Sequence, residues 1–585
     1  MVLLNRPWML PDRRSALLKT YLTASDVGLS IPRADGEKRW RQIPRDQALT
    51  LMATMLAGVD STSDLGGDAA EVSRHWAAAI QSPILRQQVQ VGVTLGSLLI
   101  APQLILLAIR EALPLCPVGP PVNSTEGVDH LIACLLGIAD EQDTGRCDDV
   151  TGQAWAGMDP VIAADLIANH HFNASTPLPQ LMASAERTWR QPWPELAPPV
   201  EQSRVGGGPA ELFTEATGLN PTVLLDVAVH LLVQRQVHGF LRFPDRFFNE
   251  LGMSTTTRRA VLRLICTDIP SLQRALSSPA GWAFDPVRRW PLLRLDNGEI
   301  LVLRLGWLME RSMSDVALLD IHRYLQAADA SNGSQRAPAF GRCVQAKLEA
   351  DVGDSLRRAF DRRGGDVWHE TDLTRAFSPF LPRSQPPKLC DFAVRVGSTW
   401  LLVDATDRPL PAHVTDGSTG PGGLHTELRQ ALTGHKALQL ESTIQLLRRH
   451  MDALTGERVD PGAVFIPIVA TARGGLLWGW TVAPEAASQL ADRGLLQGDD
   501  VMHAALMSPK DLSLLEREAQ YRGVRAIDTV QDWRAGQHSQ WGFDQYLHLI
   551  GRRLAATKSE RRDADLLVRK AIQRARTQSQ AAARP

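Results

Sequence analysis

Cysteine is sparse and never clustered in this chain. The six residues Cys116, Cys134, Cys147, Cys266, Cys343 and Cys390 stand singly. No two are spaced as a zinc knuckle or a redox dithiol, so one bridge is formally open, but reduced and mostly buried thiols are the expectation. Net charge is missing too: 63 basic and 64 acidic side chains leave a formal −1. Contact with nucleic acid therefore needs a local patch rather than whole-molecule attraction. The opening MVLLNRPWMLPDRR lacks a basic region followed by an apolar core and a cleavage site, which makes a cytoplasmic protein the expectation. No GxxxxGKS or GxGxxG loop occurs and no GxSxG elbow, while Gly206-Gly207-Gly208 follows no strand and reads as a linker. The fifteen tryptophans are dispersed, without the aromatic–basic interleaving of a single-strand platform.

What is present is ordinary globular material, 44% hydrophobic and 22% charged over 585 residues. That length suits about three or four domains, or two large ones. The uncharged stretch from Gln87 to Ile109 has membrane-spanning length. Its glutamines, and Pro102 with Gln103 inside it, instead predict a buried helix or helix pair, broken or bent near Pro102, with no membrane contact. Apolar spacings of three and four predict helices through most of residues 1–205 and 206–330, DPVIAADLIANHH among them. Ser254 and Thr255 are candidate caps for TRRAVLRLI, and Asp296-Asn297-Gly298 predicts a hairpin within 291–305. The organisation expected is a helical domain over 1–205, a second helical domain over 206–330 and a mixed-sheet domain with a helical C-terminal extension over 340–545. A basic tail, helical or disordered, would occupy 556–585. The tail holds eight Lys or Arg against three acids from Lys558 to Arg584; a frayed basic helix is the expectation, with electrostatic contact to nucleic acid or an acidic partner as the alternative.

The order helix, strand, strand, strand, helix, strand runs from Phe340 to about residue 475, so the fold class is α+β. Pro467 inside the apolar strand GAVFIPIVAT argues for an edge position or a bulge. Within LCDFAVRVGSTWLLVDAT, a Gly397-Ser398 turn of the glycine-first type sets Val396 against Thr399. Counting outward, Asp391 falls opposite Asp404. Two carboxylates that close repel unless a cation or a proton sits between them. Oxygen ligands of this kind suit Mg²⁺ or Mn²⁺. The alternative is a pair of strand-end residues, with Asp404 bonded to local amides or to Arg408. Arg395 and Arg408 have the strand parity to share the acids' face. His369-Glu370 ends the preceding strand and can line the cleft, or simply close a turn. His170-His171 reads as a helix end or surface.

These residues resemble the PD-(D/E)xK nuclease superfamily, whose fold is restriction-endonuclease-like. The match is Asp391 on one strand and Asp404-Ala405-Thr406 on the next, framed by the helix of Glu349, the helix from His425 to Leu454 and the strand Val464 to Val469. The resemblance implies that Asp391 and Asp404 bind metal, Mg²⁺ or Mn²⁺, with Glu349 as an upstream ligand. It also implies a lysine two residues after the second acid, where this chain has Thr406. In some members that lysine comes from the following helix, which points to Lys436, with Gln439 one turn on. The function implied is a nucleic-acid-associated, metal-dependent phosphodiesterase. If inactive, the domain would need no cofactor and would bind nucleic acid or scaffold a complex. The helical N-terminal region would then meet protein partners in a bacterial genome-maintenance or defence system.

Overall fold

The computed structural model describes residues 21–582 apart from 65–68, 123, 144–175, 191–192, 278–281, 362–363, 383, 385–386, 416–418, 480–481 and 553–555. The expected helix over DPVIAADLIANHH, with His170 and His171, and Cys147 lie outside the described residues. The chain is α+β, with a helical N-terminal region and two mixed sheets.

Buried apolar side chains form two clusters. One runs from Tyr21 to Ala346, and the other from Val352 to Leu547. Val205 and Leu212, on either side of Gly206-Gly207-Gly208, both belong to the first, so that turn joins two helices of one core. Its sheet has the order β1 (Arg242–Phe243), β4 (Ile300–Val302), β3 (Leu292–Arg294), β2 (Cys266–Asp268). β3 and β4 form the hairpin around Asp296-Asn297-Gly298. Ser254 caps the helix Thr255–Ile265, accepting the Thr257 N–H at 3.1 Å.

The stretch from Gln87 to Ile109 is a helix pair, broken just before Pro102 rather than bent there. Pro83–Thr94 ends before Gly96, and Pro102 opens the helix Pro102–Leu115 at its first turn, where its missing N–H costs nothing. The second helix is buried almost throughout, whereas Ile84, Val91 and Leu95 of the first are exposed. Among the described residues no single helix is long and apolar enough to cross a membrane. The pair Pro199–Thr217 and Pro221–His238 meets that length and composition only together, and it is bent by 79°.

The helix Arg336–Phe360 links the two halves: Phe340 and Cys343 enter the first core, Leu356 and Phe360 the second. The second sheet has the order β5 (Asp366–His369), β6 (Phe392–Val396), β7 (Thr399–Thr406), β8 (Val464–Thr471), β9 (Ala505–Met507). β5, β6 and β7 are antiparallel neighbours, while β8 and β9 run parallel to β7.

β8 is therefore interior, which excludes the edge position, while the pairing offset from Phe465↔Val501 to Ile468↔Ala505 grows by one residue, as the bulge alternative at Pro467 requires. Parallel strands point alternate residues' backbone groups to alternate sides. Phe465 exchanges both of its backbone bonds with the Asp500–Met502 segment, so Pro467 faces the same side. There the ladder is interrupted between the Val501 bridge and β9. The carbonyls of His503 and Ala504 are taken instead by the guanidinium of Arg534, each at 2.8 Å. The His503 and Ala504 carbonyls thus have a donor in the stretch where Pro467 supplies none.

The C-terminal segment forms the helix Lys558–Ala582, which buries Ala564, Leu567 and Ala571 in the first core. Arg574 pairs there with Asp226 at 2.8 Å. At its start Glu560 accepts from Ser513 of the second half at 2.8 Å, so this helix ties both halves together.

Candidate functional site

The hairpin has the register that its turn dictates: Val396 faces Thr399, and Phe392 faces Val403. Gly397 takes φ +60° while Ser398 needs no positive φ, which is the glycine-first pattern of a type II′ turn. One step beyond the ladder lie Asp391 and Asp404. Their carboxylates converge on one amide: the Ala405 N–H donates to Asp391 Oδ2 at 2.7 Å and to Asp404 Oδ1 at 2.9 Å. Asp404 is fully buried and Asp391 nearly so.

Lys436 reaches this pair from the helix His435–Thr455. Its Nζ donates to Asp404 Oδ1 at 2.7 Å. Gly434 sets the entry of that helix, after a π-helical turn over Arg429–Thr433. A Cβ on Gly434 would lie 2.3 Å from the Arg429 carbonyl oxygen, so only glycine permits this close approach. The same helix face holds the chain before Asp391. Gln439 donates to the Leu389 carbonyl at 3.3 Å, and Thr443 Oγ1 accepts the Cys390 N–H at 3.0 Å.

The other face of the site is the helix Arg336–Phe360. Gln345 donates to Glu349 at 2.8 Å and to the Ala405 carbonyl at 3.2 Å, and it accepts the Asp407 N–H at 2.9 Å. It splices Glu349 to the end of β7. Sequence reasoning missed Gln345, one helical turn before Glu349, and set Glu370 aside. Glu370 follows β5, and its N–H donates to the Asp391 carbonyl at 2.8 Å. Glu370, Asp391 and Asp404 thus lie in one row across three strand ends. The register of β5 against β6 was the signal that could have found it.

This concentration of acids shifts their protonation. Burial first, then the charge of Asp391, raises the Asp404 carboxyl well above its ordinary 3.8, and the Lys436 charge only partly offsets this. Burial and then Asp391 raise Glu349 and Glu370 in the same way. Burial alone would lower Lys436, but Asp404 and Asp391 outweigh it and hold the ammonium above its ordinary value. No donor faces Asp404 Oδ2. The Asp391 carboxylate lies beside Asp404 at the shared Ala405 amide, and only a proton or a cation can lie favourably between the two carboxylates.

Two arginines go elsewhere. Arg395 pairs with Glu457 at 2.7 Å, and Arg408 pairs with Glu427 at 2.8 Å, so neither neutralises the aspartates. Asp391 and Arg395 share a face, but four residues of strand put them about 13 Å apart. His369 caps the helix Glu370–Phe377, accepting the Thr371 N–H at 3.3 Å, with its ring against Phe392. Thr406 is buried in β7 beside Thr471 of β8. Among the described residues no three carboxylate, imidazole or thiol groups form a ready-made ion cage. The donor set still suits a hard cation, since Asp404 Oδ2 is buried without a donor and beside a second carboxylate. No family model, curated protein or solved structure matches the chain.

Proposed function

We propose that residues 340–475 form a restriction-endonuclease-like domain of the PD-(D/E)xK type, acting as a divalent-metal-dependent phosphodiesterase on nucleic acid. The observation that carries this reading is the Lys436–Asp404 contact of 2.7 Å beside Asp391. A lysine from the following helix stands next to the second acid, while the strand position is Thr406. The element order helix, three antiparallel strands, helix, parallel strand supports the same reading.

In this reading Asp391 and Asp404 hold Mg²⁺ or Mn²⁺. When bound, such an ion polarises phosphate oxygen and lowers the pKa of its water. Glu349 and Glu370 lie close enough to feel the charge of Asp391 and are the further carboxylates available. Lys436, kept protonated by these acids, is placed to steady negative charge developing on phosphate oxygens. Gln345 and Gln439 act as positioning residues, fixing the ends of β7 and β6.

A second reading is an inactive domain that binds or scaffolds. It is favoured by the absence of a ready-made cage among the described residues and by the ion pair that already occupies one oxygen of Asp404. Calorimetry with Mn²⁺ separates the two. Wild type should release binding heat, and Asp404→Ala should not; hydrolysis of DNA or RNA should vanish in the same variant. Equal heats from both proteins would remove the metal site and leave the scaffold.

A further inference from the structure

Positive charge that the whole chain lacks gathers locally, in the C-terminal tail and in one earlier segment. Residues 251–294 carry seven arginines and two aspartates, with no lysine or glutamate, a local formal charge of +5. In the fold part of this segment surrounds an open groove of about 640 Å³ beside β2, the edge strand of the first sheet. Arg263 projects from the helix Thr255–Ile265, Arg274 from the helix Ile269–Leu276, and Arg294 from β3, with Trp290 just before that strand. Arg263 and Arg274 are exposed, and neither is held in an ion pair among the described residues. Arg294 is loosely tied, at 3.5 Å from both Asp245 and the Gly298 carbonyl. The acid lining the groove, Asp268, is engaged as a helix cap, accepting the Ser271 N–H at 2.8 Å.

We infer that this groove binds the phosphodiester backbone of a single-stranded nucleic acid, with a base stacked on Trp290. Guanidinium forks match phosphate oxygens two at a time, and this segment uses arginine exclusively. Half-buried Trp290, with the Arg289 guanidinium 4.9 Å from its ring centroid, offers a stacking surface that an acidic peptide would not use. Stacking requires an unpaired base, so a single strand fits better than a duplex. The inference names a partner for the reading above and shares its premise that the chain meets nucleic acid. It rests on different residues and needs no metal.

The test uses full-length protein, a fluorescein-labelled single-stranded DNA oligonucleotide and EDTA throughout, read by anisotropy across a salt series. Arg263→Gln with Arg274→Gln should weaken binding about tenfold or more and lower the salt slope by about 1.4, two phosphate contacts at about 0.7 each. Arg562→Gln, on the exposed face of the C-terminal helix, should change neither. Because EDTA keeps divalent ions out of the acid cluster throughout, binding is read without any metal, and failure of the metal reading leaves this result standing. Equal affinity of the double variant and wild type overturns the inference, as does an equal loss in Arg562→Gln. Displacement by polyglutamate at the same charge concentration as by unlabelled DNA also overturns it, reassigning the groove to acidic peptide.

Discussion

Replacing Lys436 by methionine is the sharpest perturbation of the acid cluster, because it removes the ammonium and keeps most of the apolar stem. At 2.7 Å the Lys436–Asp404 attraction is about 6 kcal/mol for an effective dielectric of about 20. Desolvation of the lysine offsets part of it, and removing one partner of a buried pair typically costs about 3–5 kcal/mol. Lys436 is 19% exposed, so the lower end, about 3 kcal/mol, is expected near pH 8. The pH dependence carries the reasoning. The folded protein holds the Asp404 proton more tightly than the unfolded chain, whose value is 3.8. Stability from this group is therefore greatest in acid and falls as pH rises above that value. Without Lys436 the folded pKa rises further, so the gap between wild type and variant should open with pH and nearly close in acid, where a proton replaces the ammonium. Urea denaturation followed by circular dichroism at about pH 5 and about pH 8 measures it. An equal gap at both pH values, or one below about 1 kcal/mol at the higher, would refute a charge-starved cluster.

Two further outcomes follow from buried polar groups elsewhere. Burial, then the charge of Asp544, pushes the Asp511 carboxyl up to about 6, above the unfolded 3.8. Wild-type stability should therefore fall as pH rises between these values. Asp511→Asn, which keeps an acceptor for Ser508, should flatten the melting-temperature profile across that window, and parallel profiles would count against it. Arg534→Met should cost roughly 2 kcal/mol or more, since the carbonyls of His503 and Ala504 each lose a donor worth about 1–3 kcal/mol, while Ser539 keeps the Trp478 indole N–H. A loss below 1 kcal/mol in urea denaturation would show that water replaces the guanidinium.

The β6–β7 register was legible because a two-residue turn leaves no freedom in the count, and the facing of Asp391 and Asp404 follows from it. Parity alone says which face a side chain takes, however, and not who meets it there. Arg395 and Arg408 were drawn to Glu457 and Glu427, which approach from other elements and left no mark near the hairpin. Glu370 was passed over because β5 is four residues long, too short for its alternation to announce a register. At Pro467 the edge half of the expectation failed and the bulge half did not. The one-residue offset beside it brings in the His503 and Ala504 carbonyls, which take their donors from Arg534, far along the chain. Composition at Gly206-Gly207-Gly208 marks a turn, but whether the helices on either side share a core depends on contacts that no local pattern records.

Lys436 explains how the acids can coexist. At the end of β7, two residues after Asp404, Thr406 has its side chain buried beside Thr471, and a lysine there would have to carry its charge out of the sheet core. The helix His435–Thr455 offers a route that costs less. Lys436 sits in its first turn, 19% exposed, and extends inward until only the ammonium meets the fully buried Asp404. The same helix clamps Leu389 and Cys390 through Gln439 and Thr443, so the segment carrying Asp391 and the cation beside Asp404 are set by one rigid body. A strand-end pair with only a structural duty could stop at the Ala405 amide, which already serves one oxygen of each carboxylate. Glu349 and Glu370 add negative charge for which one lysine is not enough, and burial together with Asp391 raises the proton affinity of both. That excess is what a dication would relieve, and it is the physical ground on which the metal reading stands ahead of the scaffold.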